Sequence, residues 1–310
     1  MGRFTWVSIQ MSDNITYNYE NKRDMKKFIY IILAGLVVLS CSKSQAPTSN
    51  QMEFMFSIGN GATKVTSTAF ESGDAVSLYA VEWSGSEQMP IQVSGNYLNN
   101  DKITYNGSAW TSQRTLYWSD NPCDFYALYP YQASFASIER QPFSVALDQT
   151  GDGYENSDLL YAYAENKTRT DGPVAMQFGH IMSKVAVNLI KGPEFDGEIP
   201  NDVVAHVYST ITDCYVNMTS GSIEKDIFAD KNVITMKKIS NERFEAIVVP
   251  QNLEKRTPLI ELSMGGIAYL LETSLSFRAG YVHTINVTLN TSPDQEQIEI
   301  SIDPGVNPWN

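Results

Sequence analysis

Asp124-Phe125-Tyr126-Ala127-Leu128-Tyr129-Pro130-Tyr131 carries five large aromatic or aliphatic side chains within eight residues. In an extended chain successive side chains point to opposite faces, so this stretch loads both faces with apolar surface. It predicts a central strand covered on both sides. Pro130, which has no N–H to give to a ladder, is expected to end it.

Strand-like runs lie on either side of it. Upstream are Glu53–Ile58 and Ala75–Trp83, with Gly59-Asn60-Gly61 and Gly73-Asp74 supplying turn residues between them. Lys102–Tyr105, Asn106-Gly107 and Ser108–Trp110 predict a hairpin with a type I′ turn, because Asn-Gly accepts positive φ. Downstream, Phe143–Leu147, Leu159–Ala164 and Val174–Phe178 follow at intervals of roughly 8 to 12 residues, an all-β rhythm. Ser183–Leu189 and His283–Leu289 alternate apolar and polar residues, which reads as half-buried antiparallel strands. No amphipathic helix of three turns is convincing. Ala205–Ser209, Tyr215–Met218, Phe244–Val249, Leu259–Met264 and Ile267–Phe277 complete a second set. A loop at Lys191–Asp202 marks a composition shift, and the strand that enters it, His180–Ile190, opens the second set. With about seven strands in each half, the reading is all-β, with one β-sandwich over residues 53–178 and another over 179–310.

The segment Met25–Cys41 fixes where the chain resides. Lys26 and Lys27 form a short positive region, Phe28–Leu39 an apolar stretch, and Ser40 is the small residue before Cys41. This is the layout of a cleaved signal, and it is too short for a spanning helix of about 20 residues. Val38-Leu39-Ser40-Cys41 resembles a bacterial lipobox, which implies cleavage between Ser40 and Cys41 and lipidation of Cys41. The N-terminal 24 residues are polar and lack periodicity, so Met25 reads as the true start and residues 1–40 as removed. Residues 41–52, rich in Ser, Thr, Gln and Asn, read as a flexible tether. Removing residues 1–40, which hold five Lys or Arg and three Asp or Glu, leaves a net charge of −15. Such a surface excludes nucleic acid, whose binding rests on Lys and Arg neutralising phosphate. Cys123 and Cys214 match no metal spacing and read as buried free thiols rather than a bridge.

Catalytic chemistry finds little support. The three histidines, His180, His206 and His283, have no carboxylate or second histidine at ligand spacing. His180 reads as a strand residue hydrogen-bonded at the junction of the halves. Asp148–Asp158 is the densest acidic loop but lacks the ligand pattern of a calcium loop, and reads as a solvated turn. No nucleophile elbow, phosphate loop or dinucleotide fingerprint is present, so no catalytic residue, metal ligand or cofactor is expected. Trp83, Trp110, Trp118 and Trp309 could stack on sugars, which gives an alternative reading as an outer-membrane glycan-binding lipoprotein. Filling of sandwich cores is the stronger reading of their spacing.

Several blocks together carry a family resemblance. Phe70–Ala80, Asp124–Tyr131, Asp158–Ala162, Phe178–Val185, Val248–Gln251 and Phe277–Leu289 resemble, in order, those of the Mfa-like fimbrillins of Bacteroidales. The resemblance implies two transthyretin-like antiparallel β-sandwich domains and export as an outer-membrane lipoprotein. It also implies a stalk, tip or anchor role in a surface fimbria, with other fimbrial subunits as partners through β-strand addition, and a host protein or glycan as a further ligand. In stalk subunits of that family a protease cuts after the first strand, commonly at Arg. Residues 41–113 contain no Arg, and Arg114 is the first after the signal, which favours an anchor or accessory subunit that keeps its lipid. At the other end, Gln297–Asp303 alternates strictly and Pro304-Gly305 is expected to break it. That segment is either the last strand of its own domain or a strand offered to a neighbour.

Overall fold

The computed structural model describes residues 50–59, 69–253, 257–272, 274–291 and 300–309. The predicted cleavage site at Ser40 and Cys41, and the tether up to Ser49, lie outside the described residues. Strands β1 (Phe54–Ile58), β2 (Ala75–Glu82), β3 (Leu98–Tyr105), β4 (Trp110–Ser112), β5 (Cys123–Tyr129), β6 (Gln141–Ser144), β7 (Leu160–Lys167) and β8 (Val174–His180) come first. Then come β9 (Ser183–Glu194), β10 (Val204–Ile211), β11 (Asp213–Asn217), β12 (Ser222–Lys225), β13 (Lys231–Thr235), β14 (Lys237–Ser240), β15 (Arg243–Val248) and β16 (Gln251–Asn252). The last are β17 (Pro258–Met264), β18 (Ile267–Glu272), β19 (Ser276–Phe277), β20 (Tyr281–Thr291) and β21 (Ile300–Pro308). The only helical turns among the described residues are α1 (Gly153–Asn156) and a 3-10 turn at Arg169–Asp171, so the chain is all-β.

Seven strands form one sheet in the order β1-β8-β7-β5-β2-β3-β4, with β5 in the middle. The prediction for Asp124–Tyr131 holds in detail. Phe125 and Ala127 point into a core shared with Leu78, Ala80, Ala162 and Phe178. Tyr126 and Leu128 point the other way, into a core with Tyr79, Val185 and Phe244. The strand ends at Tyr129, one residue before Pro130. Its first carboxylate, Asp124, is fully buried and takes hydrogen bonds from Trp83 Nε1 (2.8 Å), Gln88 Nε2 (2.6 Å), the Asn166 N–H (2.8 Å) and the Tyr163 hydroxyl (3.2 Å). A buried carboxylate is tolerated only with its lone pairs filled in this way.

The remaining strands form a five-stranded sheet (β14-β15-β9-β20-β21), a four-stranded sheet (β13-β10-β17-β18), a three-stranded sheet (β12-β11-β6) and the short β16-β19 pair. In the three-stranded sheet β6, from the first half of the chain, pairs with β11 from the second, with Phe143 opposite Cys214.

Four expectations are corrected. Two pairings are parallel, β1 with β8 and β9 with β20, so the seven- and five-stranded sheets are mixed; an alternating pattern reports which faces are buried, not strand direction. The hairpin at Asn106 exists, but Tyr105 pairs with Trp110 and the loop is four residues long. The Asn106 side chain there accepts from the N–H groups of Ser108 and Ala109, both at 2.9 Å, an Asx turn in place of type I′. Pro304-Gly305 lies inside β21, opposite Ile285 and Thr284; β21 is an edge strand, where the missing N–H of proline costs no ladder bond. The acidic loop 148–158 is anchored as well as solvated, because Gln149, Tyr154 and Ser157 within it are buried. The Gln149 amide donates to the carbonyl of Ile247 (2.8 Å) and accepts from its N–H (2.7 Å), standing in for a missing neighbour strand.

Candidate functional site

The two terminal strands, β1 and β21, each lie on the edge of a sheet. They are where a chain could exchange a strand with a neighbour, since an edge presents unpaired backbone groups.

The first terminal strand is stitched on both sides. Ahead of β1, Met52 N–H donates to the carbonyl of Leu116 and Trp118 N–H to that of Asn50, both at 2.8 Å. The strand itself then runs parallel to β8, from Phe54 beside Val174 to Ile58 beside Phe178. Alternation puts Met52, Phe56 and Ile58 in the core, while Met55 is 58% exposed. Phe56 meets Trp110 at 4.9 Å and Phe178 at 5.6 Å between ring centroids. Phe70 lies edge-on to Trp110 (4.8 Å) and Phe178 (5.4 Å), which closes an aromatic cluster. Burial of a side chain of this size is worth about 1.5–3 kcal/mol, so the three inward residues contribute an amount comparable with a domain's whole margin. Without this segment β8 would become an edge beside an open apolar groove. Next to the cluster, the Tyr129 hydroxyl donates to Asp74 (3.1 Å), and burial followed by that carboxylate raises the phenol's pKa.

The last strand is held differently. It is nine residues long and antiparallel to β20, from Ile300 opposite Leu289 to Pro308 opposite Tyr281. Where its side chains are described, Val306, Asn307 and Pro308 are exposed, and Trp309 just beyond is buried. Trp309 stacks on His180 at 3.8 Å with planes 9° apart, Lys184 Nζ lies 4.7 Å from its ring centre, and its N–H donates to Gly280 (2.8 Å). His180 Nδ1 is 2.9 Å from Asp158. Lys184 lies 3.8 Å from Glu245, which also takes hydrogen bonds from Tyr154 (2.7 Å) and from Arg243 Nη2 (2.6 Å). Burial lowers the Lys184 pKa. At Glu245 burial alone would raise it, yet the opposing Lys184, Tyr154 and Arg243 together bring it below the ordinary carboxylate value.

The other candidate residues are scattered. His206 lies 3.5 Å from Glu261, and His283 Nε2 accepts from the Arg278 N–H at 3.0 Å. Among the described residues no cluster of His, Cys, Asp and Glu is arranged to hold a metal ion. Cys123 and Cys214 are both buried free thiols; burial first, then neighbouring carboxylates, push each to about 12. Trp110, Trp118 and Trp309 are buried in the cores, and Trp83 is half-buried with its N–H on Asp124. None of the three buried indoles offers a stacking face to a sugar. Sequence reasoning missed the Asp124 network and the His180–Trp309 stack, whose members are far apart in the chain.

The fold and its two strand-bearing edges define an all-β protein with a separately docked first strand. The chain belongs to the fimbrillin-like family, whose model matches residues 63–309. The fold is similar to that of a candidate cell adhesion protein from Bacteroides uniformis (20% identity, TM-score 0.65, covering 85% of this chain and 100% of that one). A second, from Bacteroides ovatus, shares 18% identity with a TM-score of 0.65 over 84% of this chain and 98% of its own. A fimbrial protein from Bacteroides vulgatus shares 12% identity with a TM-score of 0.50 over 84% and 100%. Comparison with curated proteins gave no match.

Proposed function

We propose that this protein is a structural, non-enzymatic subunit of a surface fimbria, held in the outer membrane by lipid on Cys41 after cleavage behind Ser40, and that it anchors or caps the fimbria rather than building its shaft. Two transthyretin-like sandwiches, residues 53–178 and 179–310, meet through the sheet that β6 shares with β11. Neighbouring subunits join by β-strand addition at a strand edge.

The observation that carries the anchor reading is the way β1 is seated. Its ladder joins β8 while its lead at Asn50 and Met52 is bonded to Leu116 and Trp118, and residues 41–113 hold no Arg at which an Arg-specific protease could release it. Arg114 follows β4 and is paired twice with Asp101, at 2.8 Å each. A cut there leaves β1 to β4 on one fragment and frees no groove. The test is to treat purified mature protein with an Arg-specific protease. It should remain monomeric; a denaturant-resistant ladder would identify a shaft subunit. Cys41→Ser should leave an unprocessed precursor that is poorly retained in membranes, and normal retention of that variant would refute the lipid anchor.

A further inference from the structure

The chain enters the first sheet beside an aromatic ring that its own backbone holds out in water. Tyr117 stands between Leu116 and Trp118, which are buried, and is itself 54% exposed. It cannot turn inward. The Met52 N–H donates to the Leu116 carbonyl and the Trp118 N–H to that of Asn50, both at 2.8 Å, with Gln51 opposite Tyr117 in the bridge between them. The Tyr97 hydroxyl also donates to the Tyr117 carbonyl (2.8 Å). Gln51, Glu53 and Met55 form the outward row of the entering segment, and Met55 is 58% exposed. Two exposed apolar side chains are ordinary by themselves; their position gives them a use.

Asn50 is nine residues after Cys41, so the connection spans about 30 Å fully extended and roughly 15–18 Å as a flexible coil. A lipid on Cys41 therefore keeps Tyr117, which bridges to Gln51, within reach of the bilayer surface. The strip along which the chain enters is poor in charge. Residues 109–119 contain one charged side chain, Arg114, whose guanidinium is closed on Asp101 at 2.8 Å, and Glu53 and Asp120 stand at the margins. Tyrosine is a residue type that settles at headgroup level, with its ring in apolar surroundings and its hydroxyl in water.

We infer that Tyr117 and Met55 rest on the lipid surface that holds Cys41, so that the entry end of the first sheet faces the bilayer. This rests on the lipid anchor proposed above and adds the orientation of the folded chain. The contact is small. One aromatic side chain buries about 150–250 Å², too little to recruit a free protein, but a short tether supplies an effective concentration of order millimolar. The contact therefore orients a chain that lipid already holds. With its one guanidinium paired and a carboxylate at each margin, the strip has no net positive charge to draw phosphate, so the contact is apolar and indifferent to salt. The other end of β1 is turned away from the bilayer. Ile58 there shares a cleft with Tyr129 and Asn156, and the seven residues of β8, roughly 23 Å of strand, separate that end from the entry. That end stays accessible to neighbouring subunits.

The test uses the full mature chain with a hexahistidine tag in place of Cys41, held on phosphatidylcholine vesicles by a nickel-chelating lipid. The tether is then supplied whether or not Cys41 is lipidated in cells, so failure of the contact is read separately from failure of the anchor. Cys123 and Cys214 are buried, so a thiol-reactive bimane labels a cysteine introduced at Gln113 or at Asn156, both exposed positions. With nitroxide-labelled headgroups in the vesicle, the probe in Gln113→Cys should lose most of its fluorescence and that in Asn156→Cys almost none, at low and at high salt. Adding Tyr117→Asp should abolish the difference, and Tyr117→Trp should preserve it. Equal quenching at both positions, quenching confined to position 156, or a difference that Tyr117→Asp leaves intact or that salt removes, would overturn the inference.

Discussion

The first and last strands sit on comparable sheet edges but are held by different physics. β1 makes a parallel ladder of five paired positions, yet sends Met52, Phe56 and Ile58, together with its lead, into an aromatic core. β21 makes an antiparallel ladder of nine paired positions and, among its described side chains, exposes Val306 to Pro308, while Trp309 just beyond is buried. The first strand is a plug whose hold comes from apolar burial. The last is a clasp, held among its described residues by backbone hydrogen bonds and by the Trp309 indole. Loss of a plug opens a groove that only another apolar strand can refill. Loss of a clasp exposes the backbone edge of β20.

The comparison breaks most visibly at Phe56. Phe56→Ala should lower the unfolding free energy by about 3–5 kcal/mol, as for other buried aromatics, seen as a lower urea midpoint with the slope unchanged. If the loss were under about 1 kcal/mol, β1 would be a surface strand and the plug description would be wrong. Trp309→Ala should cost less, about 1–3 kcal/mol, because it loosens an end that can open locally. Hydrogen exchange should then quicken in β21 and along β20 while β5 stays protected. Uniform acceleration through β5 would mean that Trp309 holds the whole fold.

A smaller effect sharpens the same contrast by separating core histidines from clasp histidines. His283 is buried, and burial first, then the Arg278 charge, lower its pKa below 6.5. The unfolded chain therefore takes up a proton near pH 6.5 while the folded chain resists it. Stability should fall as the pH drops below about 6.5. His283→Gln should flatten that part of the profile, and an unchanged slope would mean that His283 is charged in the folded state. Replacing His180, His206 and His283 together by Gln should change stability only.

How much of this was legible in the sequence depended on whether the relevant contacts were local. β5 was legible because apolar residues on both faces of a short run leave few alternatives to a central strand. The buried face of β20 was legible from its alternation. Strand direction was not, since Ser183–Leu189 alternates identically beside a parallel or an antiparallel partner. β12, β13 and β14 were missed because Ser222–Lys225 and Lys237–Ser240 are short, polar and largely exposed. The expected turn at Asn106-Gly107 failed because the side chain of Asn106 supplies a competing hydrogen bond to the backbone. The surroundings of Asp124 were not legible, since only folding brings Trp83, Gln88 and Tyr163 around it. The Trp309 clasp needs His180 and Lys184, both more than a hundred residues away.

The most direct test of the retained first strand is the intact N-terminal mass of the protein taken from native outer membranes. The account predicts a chain that begins at Cys41, carries diacylglycerol and an added acyl group, and still contains residues 50–58. An unlipidated chain that begins beyond Ile58 would contradict it, because β1 would then have been removed and its groove opened to a neighbouring subunit.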